Sequence, residues 1–293
     1  MKTIMRWIGL SLLCCLTAIL FFTCSKERSL SSSKGPQHVS IYLTDGPGLF
    51  DHVYVDIQSV SVLVDTCAPS GSRDEDNDDQ GDDDHDGNHP GDSCNVWKPL
   101  VINPGVYDLL TLTNGNDTLL ASGTIPSGRI EKIKITLGTN NSLVKDSTHY
   151  PLNLFPGQNT ITIKLRGDEF DQYLAGHLRV WLDFDVARSI VVVNNNQFFL
   201  RPFMRLFVIS STGSIEGEVG LGAASAVVSV FNSTDTAYAI PNRDEGQFKV
   251  RGLKPGTYSI FFNGSNGYRD TTVNNINVTA GHETELGRIT LRQ

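Results

Sequence analysis

Leu178-Arg179-Val180-Trp181-Leu182-Asp183-Phe184-Asp185-Val186 alternates apolar and polar residues without a break. Successive side chains of a strand point to opposite faces, so Leu178, Val180, Leu182, Phe184 and Val186 are predicted to line a core. His177, Arg179, Trp181, Asp183 and Asp185 fall on the other face, which reads as solvated. Working outward, the same period recurs. Val39, Ile41 and Leu43 share one face, as do Val53, Val55 and Ile57. Val60, Val62 and Val64 then continue on the other parity, and one extra residue of this kind predicts a β-bulge. Ile133, Ile135 and Leu137, and later Ile161, Ile163 and Leu165, repeat the pattern. Asn194-Asn195-Asn196 reads as the turn of a hairpin between Ile190–Val193 and Gln197–Leu200. No long amphipathic helix is visible, and Asp168 to Ala175 is at most one or two helical turns. The expected fold class is therefore all-β, with two β-sandwich-type domains in tandem after a signal peptide and a tether.

The first 23 residues read as an address. Lys2 and Arg6 precede an apolar run from Trp7 to Phe22, too short and too N-terminal to be read first as a membrane span. The run ends at Phe21-Phe22-Thr23-Cys24-Ser25, which resembles a lipobox. That resemblance implies lipidation of Cys24, attachment to a membrane and residence in the cell envelope, with the outer membrane as the expected site. Residues 24–37 are mostly polar and suit a tether.

With Cys14 and Cys15 in the removed segment and Cys24 lipidated, Cys67 and Cys94 remain, and in an oxidising compartment they can pair. They bracket an insertion, 67–94, within which residues 74–92 hold ten acids and no Lys or Arg. Setting aside Lys2, Arg6 and those ten acids leaves 22 basic and 22 acidic residues, so the net charge of −8 belongs to one segment. No basic run of the kind that neutralises phosphates appears, and nucleic acid is not an expected partner. Asp82-Asp83-Asp84-His85-Asp86-Gly87 fits the Asp-x-Asp-x-Asp-Gly spacing of calcium loops. Position twelve of such a loop is Ser93 and not Glu, with Asp92 beside it. The segment reads either as a solvated acidic loop or as a calcium cage built on Asp82, Asp84, Asp86 and Asp92; no cofactor is otherwise required.

Leu43-Thr44-Asp45-Gly46-Pro47, His52-Val53-Tyr54-Val55-Asp56-Ile57, Tyr107-Asp108-Leu109-Leu110-Thr111-Leu112, Pro126-Ser127-Gly128 and Leu182-Asp183-Phe184-Asp185 follow one another at a spacing that resembles the lipoprotein family called domain of unknown function 4382, over about 38–209. That family assigns no chemistry. Residues 213–293 carry Gly217-Glu218-Val219, Gly246-Gln247-Phe248 and Gly252-Leu253-Lys254-Pro255-Gly256-Thr257-Tyr258. They resemble the carboxypeptidase regulatory-like domain, a seven-stranded prealbumin-type sandwich often classed with carbohydrate-binding-like folds. Tyr258, Ile260 and Phe262 are expected to face its core.

Signatures of catalysis are missing: no Gly-x-Ser-x-Gly, no His-Glu-x-x-His, no phosphate-binding Gly-Lys-Ser/Thr loop. The seven histidines are scattered. The sequence therefore points to a non-enzymatic module for binding, adhesion or scaffolding at the envelope, its partner a glycan or an envelope protein. As a carbohydrate-binding accessory it would need exposed aromatic residues, for which Trp97, Trp181, Tyr150 and Tyr173 are the candidates.

Overall fold

The computed structural model describes residues 35–67, 94–165, 177–193, 197–220 and 226–293. The first half contributes β1 (Gln37–Asp45), β2 (His52–Asp65), β3 (Asn95–Pro99), β4 (Val101–Ile102), β5 (Gly105–Asp108), β6 (Thr118–Ile125), β7 (Arg129–Leu137), β8 (Ser142–Lys145), β9 (Thr148–Leu154), β10 (Thr160–Lys164), β11 (His177–Phe184), β12 (Ile190–Val193), β13 (Gln197–Leu200) and β14 (Met204–Phe207). One sheet runs β14-β11-β1-β6-β4. The other, of nine strands, runs β10-β7-β2-β8-β9-β13-β12, with β3 and β5 also paired to the long β2.

The alternating runs set the core between these sheets. Val180, Leu182, Phe184 and Val186 are fully buried and Leu178 nearly so, beside Val39, Ile41 and Leu43 of β1. β1 and β11 are parallel, Val39 opposite Leu178 and Leu43 opposite Leu182, so the two apolar runs lie side by side on one face. β2 buries both of its parities: Val53, Val55 and Ile57, then Val60, Val62 and Val64. The expected bulge explains this, because the register with β7 shifts between Ile57 and Ser59 and turns the later residues back to the core. The β12–β13 hairpin pairs Val193 with Gln197, as the turn signal predicts. Asp168–Ala175 lies outside the described residues.

The second half contributes β15 (Gly213–Val219), β16 (Val227–Phe231), β17 (Thr236–Ala239), β18 (Gln247–Leu253), β19 (Gly256–Asn263), β20 (Thr271–Val278) and β21 (Glu283–Ile289). They form a three-stranded sheet, β18-β15-β21, and a four-stranded one, β17-β16-β19-β20. Tyr258, Ile260 and Phe262 of β19 are buried in this second core with Phe248, whose ring meets Phe262 edge-on. The fold is thus all-β, of sandwich type.

The outer face of β11 departs from expectation. Trp181 and Asp183, read as solvated, are only 8% and 7% exposed. The C-terminal sandwich lies against them. Arg205 of β14 donates to Asp183 Oδ2 at 2.6 Å and approaches Asp235 at 3.5 Å. Trp181 Nε1 donates to Asp117 Oδ2, and Arg251 of β18 donates to the same oxygen, both at 2.8 Å. At Gly252, with φ of +72°, a Cβ would come within 2.8 Å of the Phe207 ring, so the close approach of β18 to β14 needs glycine there. Alternation identifies the apolar face of a strand but does not say what covers the polar one.

Candidate binding surface

Cys24, Asp82, Asp84, Asp86, Asp92 and Tyr173 lie outside the described residues. Cys67 and Cys94 are disulfide-bonded, their Cα atoms 5.4 Å apart at the ends of β2 and β3. The neck is tightened by Thr66 N donating to Cys94 O at 3.0 Å. Asp65 stands beside the two sulfurs, but sulfurs bonded to each other are not thiolate ligands, so the trio is no metal site.

Of the aromatic candidates, Tyr150 packs against Phe198, 5.1 Å between rings. Trp181 needs correction as a glycan platform. Its ring is stacked on Tyr42 at 4.9 Å and approached by the Arg251 guanidinium at 5.6 Å, so it is a packing element. It also belongs to a different sheet from Trp97. Trp97, on β3, is 39% exposed.

The surroundings of Trp97 follow from strand register. Residues directly opposite each other on paired strands share a face. Trp97 faces Leu63 of β2, Leu63 faces Lys132 of β7, and Lys132 faces Lys164 of β10. In the next row Pro99, Ser61, Lys134 and Thr162 align, and beyond it Ser59, Thr136 and Thr160. Four strands at ~4.8 Å spacing make this row about 14 Å wide. The Lys134 ammonium sits 4.3 Å from the centroid of the Trp97 ring, a cation–π contact. Among the described residues, Lys132, Lys134 and Lys164 make no ion pair. Glu131, at the end of the face, is taken by Arg129 at 2.6 Å. Across β3, β2, β7 and β10 the outer face of this sheet is therefore hydroxyl-rich and basic, and among the described residues it carries one exposed aromatic ring. Sequence reading missed its lysines. The signal was present, since Lys132, Lys134 and Thr136 alternate with Ile133, Ile135 and Leu137, but only the register aligns β7 with β10 and β3.

Two other polar places lie apart from this face, one with its charges paired and one with a bare carboxylate oxygen. A cleft of about 390 Å³ where the sandwiches meet is lined by Asp117, Ser214, Lys249, Arg251, His282 and Glu283. Its charges pair with one another: Arg251 with Asp117, and Lys249 with Glu216 at 2.9 Å and with Glu283. The hydrogen bond from Lys249 holds the Glu283 carboxyl below its usual range. Beneath the outer face of β11, burial pushes the Asp183 carboxyl up despite Arg205. Asp45 is pushed well up by burial, then by the charges of Asp183 and Asp185. Asp45 Oδ1 accepts from Val186 N at 3.2 Å, while Oδ2 is buried with no partner among the described residues.

Residues 37–202 match the family described as Domain of unknown function (DUF4382). The chain belongs to this family. The match covers β1 to β13, and within it the motifs Leu43–Pro47 and Leu182–Asp185 place Asp183 on the outer face of β11 and Asp45 opposite Phe184 at the end of β1. No match is found among curated proteins. Among solved structures, the minor pilin GBS52 of Streptococcus agalactiae aligns at 11% identity over 88% of this chain and 96% of its own, with a TM-score of 0.22. A shaft pilin, SpaA, of Lactobacillus rhamnosus GG aligns at 9% identity over 87% and 97%, with a TM-score of 0.23. A putative adhesin of Bacteroides ovatus aligns at 12% over 88% and 93%, also with a TM-score of 0.23. Likenesses at this level carry no functional argument.

Proposed function

We propose that this DUF4382 member is a non-enzymatic binding module held at the cell envelope by a lipid on Cys24, and that it engages its partner through the outer face of the nine-stranded sheet. The observation that carries the reading is the contrast between the two outer faces of the first sandwich. One is covered by the C-terminal half, with Trp181 and Asp183 buried; the other leaves Trp97 39% exposed. An aromatic ring on a face of hydroxyls and cations suits a carbohydrate partner, the ring taking a sugar's C–H face and the polar groups its oxygens. The motifs of residues 213–293 support a spacer of the carboxypeptidase regulatory-like kind, which here braces the covered face. A glycan array probed with the chain from residue 25 and with Trp97→Ala tests the reading. Retention of the wild type on a defined set of glycans, lost in the variant, is expected. Equal retention of both would move the binding surface elsewhere, and retention of neither would remove the carbohydrate partner.

A further inference from the structure

We infer that the ligand of this face is an anionic polysaccharide, with Trp97 stacked on a sugar ring and Lys132, Lys134 and Lys164 neutralising its carboxylates or sulfates. The inference rests on the reading of this face as the binding surface and adds the chemical class. Lys132, Lys134 and Lys164 stand together on this face without acidic partners among the described residues. Two of the lysines are direct cross-strand neighbours, Lys132 and Lys164, and like charges so placed repel. A bound anion relieves that repulsion. The surface extends across four strands, so it matches an extended polymer better than a small ion. The alternative of an anionic bilayer is disfavoured by the face itself. Ser59, Ser61, Thr136, Thr160 and Thr162 line the rows that follow the one holding Trp97, so the face offers one exposed ring, little apolar area to insert and many hydroxyls to hydrogen-bond a sugar.

The chain's own acids oppose any polyanion. Ten of them lie in residues 74–92, joined through Cys67 and Cys94 to the two strands, β2 and β3, that frame Trp97. Binding is therefore expected to be moderate and salt-dependent.

The test uses the chain from residue 25 at low salt, with four probes: dextran sulfate, neutral dextran, inorganic polyphosphate and phosphatidylglycerol vesicles. Dextran sulfate is expected to bind in preference to dextran. The triple variant Lys132→Gln, Lys134→Gln, Lys164→Gln is expected to weaken it about tenfold or more and to flatten its salt dependence. Trp97→Ala should weaken dextran sulfate several-fold and leave polyphosphate, which has no ring to stack on, unchanged. All four side chains lie on the outer face, and an unaltered melting temperature verifies that the variants fold. Unchanged dextran sulfate affinity in the triple variant overturns the inference, as does tighter binding to the vesicles. Failure to bind dextran sulfate, both in the wild type and in a variant with residues 69–92 replaced by two glycines, also overturns it. If dextran binds as well as dextran sulfate and Trp97→Ala abolishes both, the binding face stands and its anionic ligand falls.

Discussion

Arg251 donates a hydrogen bond to Asp117 Oδ2 at 2.8 Å, joining β18 of the C-terminal sandwich to the loop that enters β6. That oxygen also accepts the indole N–H of Trp181, so one carboxylate ties the buried tryptophan and the second sandwich together. The Arg251 side chain is 15% exposed and Asp117 27%, which places the pair between a surface bridge and a buried one. Arg251→Ala is expected to cost about 1–3 kcal/mol, because Asp117 is left short of a donor in a half-buried seam. Calorimetry is expected to show one transition for the wild type and two for the variant. A variant that keeps a single transition at the wild-type temperature would show that the seam contributes nothing to cooperativity.

The disulfide between Cys67 and Cys94 closes a long insertion, with 27 residues of sequence separation. A loop of that length gives roughly 3–4 kcal/mol by the chain-entropy argument. Cys67→Ser with Cys94→Ser should lower the melting temperature by less than that figure implies, because Thr66 N still bonds Cys94 O across the neck. Far-ultraviolet circular dichroism should remain that of a β protein. Collapse of that spectrum would show that the bond supports the core as well as the insertion.

Much of this architecture is legible in the sequence because its cores are built from period-two runs. Val39–Leu43, Val53–Ile57 and Leu178–Val186 each name their buried face, and the change of parity after Ile57 names the bulge. The β12–β13 pairing, Val193 opposite Gln197, is that expected from the sequence for the same local reason. What stays hidden is non-local. Trp181 and Asp183 alternate as surface residues do, but Tyr42 and Arg251 cover the first and Arg205 the second, all distant in sequence. The Lys132–Lys164 row is likewise invisible until β10 pairs with β7, since cross-strand neighbours are distant in sequence.

Lipidation of Cys24 is proposed from the apolar run that ends there and the polar stretch after it. Cells fed a fatty-acid analogue should label the wild type and leave Cys24→Ala unlabelled, with the variant released from the membrane fraction. Equal labelling of both would sink the anchor.

Asp45 gives a pH signature with a definite sign. Its carboxyl is buried, and burial together with the charges of Asp183 and Asp185 raises it well above its ordinary value. The folded state therefore binds this proton more tightly than the unfolded chain does. Stability from Asp45 is complete below the unfolded-state value and is lost as pH rises through the raised folded-state value. Asp183 is raised too and acts in the same sense, while Glu283 is lowered and acts in the opposite sense. Asp45→Asn removes one of these contributions and keeps an oxygen to accept from Val186 N, so the comparison of variant with wild type cancels Glu283 and reports Asp45 together with its coupling to Asp183. As pH falls from 7, the wild type should gain melting temperature relative to Asp45→Asn, and the difference should level off once pH passes below the ordinary carboxylate range. A difference that stays constant between pH 7 and 4 would mean that Asp45 titrates alike in the folded and unfolded chains, and that Oδ2 is solvated or partnered where the structure leaves it bare.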